Sequence, residues 1–235
     1  MDPLRQGMYV PFLHPFTSIF AGPTGCGKTE LLKRILLQHS KSISPRIKRI
    51  VWCYAEPQYE LERALRPLGV EFREGLPELN DFDGHAPTLI IVDDFMSEAG
   101  SEMTKFFTKG SHHRNISIIF IVQNIFHKGK ETRSITLNAH YIVMFKNPRD
   151  KVQVKVLARQ MFDKDAKVME EAFSDATKNP HGYLLVDLKQ ATPEHLRLRT
   201  NIVPGESLTV YVGKKSFKSE TMEVSCAPDT QTGYS

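Results

Sequence analysis

Eight consecutive residues, Gly22, Pro23, Thr24, Gly25, Cys26, Gly27, Lys28 and Thr29, match the pattern G-x-x-x-x-G-K-[ST] at every fixed position. Glycines let backbone N–H groups turn inward around an anion, and a helix starting beside them adds partial positive charge at its N-terminus. The Lys28 ammonium is placed to reach the β- and γ-oxygens of a nucleoside triphosphate such as ATP, and the Thr29 hydroxyl to ligate Mg2+. A glycine-rich turn that merely precedes a helix requires neither the lysine nor the hydroxyl. Cys26 fills a variable position. A helix N-terminus can lower a thiol pKa, yet a small space-filling residue is the simpler expectation, and no catalysis is assigned to it.

Downstream, the apolar run Leu89 to Val92 ends in two acids, Asp93 and Asp94. Asp93 is expected to hold the magnesium ion, directly or through water. Asp94 is expected to polarise the attacking water, because a carboxylate can accept the proton as the nucleophile forms. Two acids at a strand end can also cap a helix, but a preceding phosphate loop favours the catalytic reading. Gln123 follows the apolar run Ser117 to Val122, which puts its amide at the carboxyl edge of a sheet. There it would orient water or sense a γ-phosphate. Standing alone, it would be an ordinary hydrogen-bonded strand-end residue.

These residues need strands and helices to position them. Thr17 to Ala21 reads as a buried strand, and Leu31, Leu32, Ile35 and Leu36 recur at helical spacing. Arg49 to Tyr54 is a second strand and Tyr59 to Leu65 a helix. Pro67 to Pro87 forms a long irregular connection with room for a short strand at Val70 to Phe72. Thr88 to Val92 reads as a strand buried on both faces, Ile116 to Val122 as another central strand and His140 to Phe145 as a fifth apolar run. Met103, Phe106 and Phe107 define a helix that Gly110 can end. Asn147-Pro148 offers an N-cap and first-turn proline for a helix carrying Val152, Val156, Leu157 and Met161, followed by another over Ala166 to Phe173. Tyr183 to Val186 and Leu196 to Ile202 read as a late hairpin. Alternating strands and helices imply an α/β fold with a mostly parallel sheet covered on both faces and a small C-terminal strand extension. The expected organisation is one domain over residues 1–203, with a core at about 16–162, and a flexible tail over 204–235.

Composition sets wide bounds. A chain of 235 residues with 40% hydrophobic and 25% charged residues is ordinary for one globular domain. Its net charge of +4 permits a polyanionic partner without requiring one. Cys26, Cys53 and Cys226 are too few and too scattered for a disulfide framework or a zinc site. His112 and His113 lack accompanying ligands at metal spacing, and the Lys41, Arg46, Lys48 and Arg49 group reads as a charged surface connection. No apolar run approaches bilayer length, and Met1 to Phe20 lacks a cleavable apolar segment, so an intracellular protein without membrane attachment is expected.

GPTGCGKT, LIIVDD and the stretch from His113 through Gln123-Asn124 together resemble the FtsK–HerA superfamily of DNA-pumping ATPases. Within it, they are similar to the poxvirus-like genome-packaging ATPases also found in Polinton/Maverick-type elements. The resemblance covers about Phe16 to Phe162. It implies a RecA-like P-loop NTPase fold of the ASCE type and a homo-oligomeric ring. The implied activity is ATP hydrolysis coupled to movement of double-stranded DNA, with viral capsid proteins as further partners. It also marks Arg114 as an arginine acting in trans, with Arg133 in reserve. Many superfamily members carry Glu where this chain has Asp94, one methylene shorter. No recognition helix or interleaved aromatic and basic pattern is present, so DNA contact would be to the backbone and insensitive to sequence. A small P-loop phosphotransferase and a nucleotide-gated interaction module with little turnover are the alternatives. A GTPase is disfavoured because N-K-x-D does not occur.

Overall fold

A computed structural model describes residues 10–93, 115–125, 135–150, 152–162 and 166–213. Their centre is a nine-stranded sheet. Six of its strands run parallel: β2 (Thr17–Ala21), β4 (Arg49–Tyr54), β5 (Val70–Glu74), β6 (Thr88–Asp93), β7 (Ile116–Val122) and β8 (Tyr141–Phe145). Antiparallel β9 (Tyr183–Asp187), β10 (Leu198–Thr200) and β11 (Thr209–Tyr211) extend one side. The order across the sheet is β11-β10-β9-β8-β2-β7-β6-β4-β5. One strand, β7, separates β2 from β6, which is the RecA-like arrangement of a P-loop NTPase.

Every residue of β2, β6, β7 and β8 is buried, so alternate side chains feed two separate cores. On one face, Phe20, Ile119, Ile121 and Val143 meet Leu31, Leu32, Ile35 and Leu36 of helix α1 (Lys28–Leu37). Leu61 and Leu65 join that core from α3 (Tyr59–Leu65), which follows the short α2 (His39–Ser42). On the other face, Ile19, Ile118, Phe120 and Met144 pack with Val154, Leu157 and Ala158 of α4 (Val152–Phe162) and Met169 and Ala172 of α5 (Ala166–Ala176). Burial on both faces explains why these strands read as near-continuous apolar runs. Among the described residues, no helix is long and apolar enough to cross a membrane.

Several elements differ from the sequence reading. The cap of α4 is Asp150, whose Oδ1 accepts the Val152 N–H at 3.0 Å. Asn147 instead turns the preceding segment by accepting from the Arg149 N–H at 3.1 Å. The strand expected over Leu196 to Ile202 shortens to β10 because Glu194–Leu196 forms a 3-10 turn behind Pro193. Strands β1 (Phe12–Leu13) and β3 (Ile43–Ser44), paired in parallel, are too short to show a period. So is β11, which pairs with β10 beyond residue 203. The helix expected around Phe106, and residues 214–235 of the expected tail, lie outside the described residues.

A polar lock ties the N-terminal segment to the amino end of β7. His14 Nε2 donates to Asn115 Oδ1 at 2.7 Å, which fixes the tautomer and leaves Nδ1 to accept from the Ser117 hydroxyl. Ser117 Oγ accepts the Phe16 N–H at 3.0 Å. Burial, the main influence, holds the His14 pKa below its ordinary value, outweighing the opposing Asn115 hydrogen bond. The unfolded chain therefore binds this proton more readily than the folded one. The stabilising contribution of neutral His14 is complete above about pH 6.5 and declines as pH falls through the lowered folded value. Urea midpoints measured at pH 7.5 and pH 5 should drop more for the wild type than for His14→Gln. Equal drops in the two proteins would show that His14 does not carry this dependence.

Candidate active site

The loop after β2 takes its shape from close contacts that leave little freedom. Ala21 lies between Val122 and Met144 in the two flanking strands, and the Gly22 N–H donates to the Val122 carbonyl at 3.1 Å. A Cβ on Gly22 would stand 2.7 Å from Cys26 Sγ and 2.8 Å from Phe145 Cβ, so only glycine fits between the loop and β8. The Cys26 N–H closes a turn onto the Pro23 carbonyl at 3.2 Å. Gly27 has φ 103°, a left-handed conformation available to glycine, and its carbonyl accepts the Leu31 N–H at 2.9 Å as α1 begins. No side chain caps α1. Helix α1 thus begins directly after the loop with no side-chain acceptor at its N-cap, an arrangement suited to an anion.

Lys28 lies back across its own loop, its Nζ donating to the carbonyls of Gly22 and of Pro23, the latter at 3.1 Å. Cys26 is buried behind the loop. Burial pushes its thiol pKa up more than the Lys28 ammonium pulls it down, so Cys26 is a neutral space-filler and no nucleophile.

Thr24, Gly25, Gly27, Lys28 and Thr29 form one wall of a cavity of about 460 Å³. Asp93 and Gln123 line the same cavity. With strands roughly 4.8 Å apart, the β7 spacer sets the Asp93 strand about 10 Å from the loop strand. That gap suits a phosphate and a hydrated cation. Gln123 is exposed at the end of β7, and Asp93 is buried at the end of β6. Thr29 and Asp93 thus supply a hydroxyl and a carboxylate to the same cavity, hard oxygen donors of the kind Mg2+ takes. Among the described residues, no group of three or more His, Cys, Asp or Glu side chains could hold a metal. Asp94, Arg114 and Arg133 lie outside the described residues.

Two cavity residues escape the sequence reading. Gln58, at the start of α3, donates from Nε2 to Asp93 Oδ2 at 2.7 Å. Glu56, exposed two residues beyond β4, brings a second carboxylate to the cavity. The available signal was the polar stretch Ala55 to Gln58 directly after an apolar strand, where Pro57 suggested only the start of a helix. Tyr54 pairs with Asp93 in register, which sets this stretch beside the acid.

No protein-family model matches the sequence, and no curated protein matches it. Solved structures do resemble the fold. The genome packaging NTPase B204 from Sulfolobus turreted icosahedral virus 2, in complex with ATP-gammaS, matches with TM-score 0.48 and 11% identity over 84% of this chain and 97% of that one. The cytoplasmic domain of the Thermomonospora curvata Type VII secretion ATPase EccC matches with TM-score 0.48 and 13% identity over 75% of this chain and 24% of that one. The flagellar accessory protein FlaH from Methanocaldococcus jannaschii matches with TM-score 0.45 and 12% identity over 86% and 92%. At such identities these likenesses say nothing of activity or partners.

The Gly22 contacts generate a direct test. Gly22→Ala should destabilise the protein by about 1–3 kcal/mol, the usual cost of overpacking a filled site. Adding Cys26→Ala should recover part of that loss by removing the nearer contact. Denaturant midpoints of both variants check it, and an unchanged midpoint in Gly22→Ala would refute the close approach.

Proposed function

We propose that this chain is a Mg2+-dependent ATPase whose hydrolysis drives movement of double-stranded DNA, in the role of packaging a viral genome into a capsid. One observation carries the ATPase reading: a glycine-shaped loop bearing Lys28 and Thr29 lines one cavity together with the buried Asp93. Backbone N–H groups of the loop and the start of α1 bind the phosphates, and Lys28 exchanges its loop carbonyls for β- and γ-oxygens. Thr29 and Asp93 hold the magnesium ion, which neutralises charge on the phosphates when bound. Asp94 accepts a proton from the attacking water, and Gln123 orients that water at the sheet edge. DNA movement, the ring and the capsid partners rest on the sequence resemblance carried by GPTGCGKT, LIIVDD and the Arg114 to Gln123 stretch.

ATP hydrolysis measured with and without long double-stranded DNA tests this reading. Stimulation by DNA of any sequence, and loss of turnover in Lys28→Ala, are the expected results. ADP release that depends on a small-molecule acceptor would favour a phosphotransferase, and nucleotide binding without turnover an interaction module. Wild-type turnover in Lys28→Ala would overturn the site assignment.

In the ring, Arg114 reaches the γ-phosphate of the neighbouring subunit, where arginine fingers contribute about 10³–10⁵ in turnover. Arg114→Ala should therefore be inactive by itself. Mixing it with Lys28→Ala protein should restore part of the activity, because some interfaces then combine an intact loop with an intact arginine. Full activity of Arg114→Ala by itself would remove it from the mechanism and leave Arg133 as the candidate.

A further inference from the structure

We propose that His181 is the platform on which the base of the bound nucleotide stacks; this rests on the nucleotide reading above. His181 belongs to the turn between α5 and β9, far from the loop in sequence, yet its ring lies directly against it. A Cβ built on Gly27 would stand 3.2 Å from His181 Cβ, 3.4 Å from Nδ1 and 3.6 Å from Cγ. The residue as a whole is exposed, at the loop that leads into α1.

The turn is held too firmly for this contact to be incidental. The Gly182 N–H donates to the Asn179 carbonyl at 3.2 Å, and the Gly182 carbonyl accepts from the Lys146 N–H at 3.0 Å. Lys146 Nζ also donates to the Lys178 carbonyl at 2.8 Å. A Cβ on Gly182 would come within 2.4 Å of the Ala176 carbonyl oxygen, so the turn closes tightly on the end of α5. His181 itself is held at φ 60°, a left-handed conformation uncommon for a residue with a side chain. Such conformations persist where the surroundings impose them, and they cluster at ligand clamps.

The direction of the nucleotide follows from the sheet. Asp93 and Gln123, which face the terminal phosphate, end β6 and β7 on one side of β2. A triphosphate lying across the loop with its γ end there directs its nucleoside to the other side, toward β8 and β9. His181 stands at that end, immediately before Gly182 and β9. An imidazole face takes a base by stacking, a contact that reads its π-surface and not its edge.

Calorimetric titration with MgATP and with inorganic tripolyphosphate separates this role from others. The tripolyphosphate has the charge of the phosphate chain and no base. The variant is His181→Asn, because asparagine tolerates the left-handed backbone and lacks the ring. ATP affinity should fall about tenfold, in the range stacking supplies, while tripolyphosphate affinity stays unchanged. His181→Phe should retain ATP affinity. Equal losses for both ligands would mean that His181 merely props Gly27, and no loss for either would mean that it touches no base; each result overturns the proposal. Wild-type protein that binds tripolyphosphate but gains nothing from the nucleoside also defeats it. Wild-type protein that binds neither ligand defeats the nucleotide reading itself.

Discussion

The position of β2 between β7 and β8 is the constraint on which the rest of the molecule depends. All three strands are buried on both faces and mostly apolar, so charged groups collect where the strands end. The bond from the Gly22 N–H to the Val122 carbonyl carries the pairing one residue past the end of β2. There the chain must turn under Phe145, and the loop's curvature follows from that lack of space. The carboxyl ends of β4, β6 and β7 bring Glu56, Asp93 and Gln123 to the same edge.

Polar groups at this edge are partnered within the protein. Lys28 donates to loop carbonyls, and Asp93 accepts from Gln58. Ligand binding is then an exchange of hydrogen bonds, and the net gain is a difference between two sets of contacts. On the proposed function, a cation taking Asp93 Oδ2 would displace the Gln58 amide. Gln58 directly precedes α3, so its hydrogen bond joins Asp93 to the start of that helix.

Local signals made much of this legible in the sequence. The glycine-rich turn was readable because its glycines stand at fixed spacing between an apolar strand and a helical repeat, and the buried strands because apolar runs from Thr88 to Val92 and from Ile116 to Val122 have one physical use. What escaped depends on tertiary proximity. His181 is more than 150 residues from Gly27 in the chain, and nothing between them encodes their contact. Gln58 owes its role to the pairing of Tyr54 with Asp93. Asp150 and Asn147 are both good capping residues, and only the path of the backbone decides between them. The lock of His14, Asn115 and Ser117 likewise spans about a hundred residues and has no local signature.

The pairing of β2 has a consequence for the order in which the molecule is made. Thr17 pairs with Ile118 and Ser18 with Tyr141, so both neighbours of this early strand come from far later in the chain. During synthesis, β2 and its loop emerge before either neighbour and have no partner strand until β7 and β8 have left the ribosome. At about 5–20 residues per second, this leaves an apolar strand waiting for several seconds or more. Such high contact order slows folding and exposes an aggregation-prone edge meanwhile. The loop after β2 is translated well before β7 and β8 and packs against Val122 and Phe145, so it acquires its shape only after residue 145 has been made.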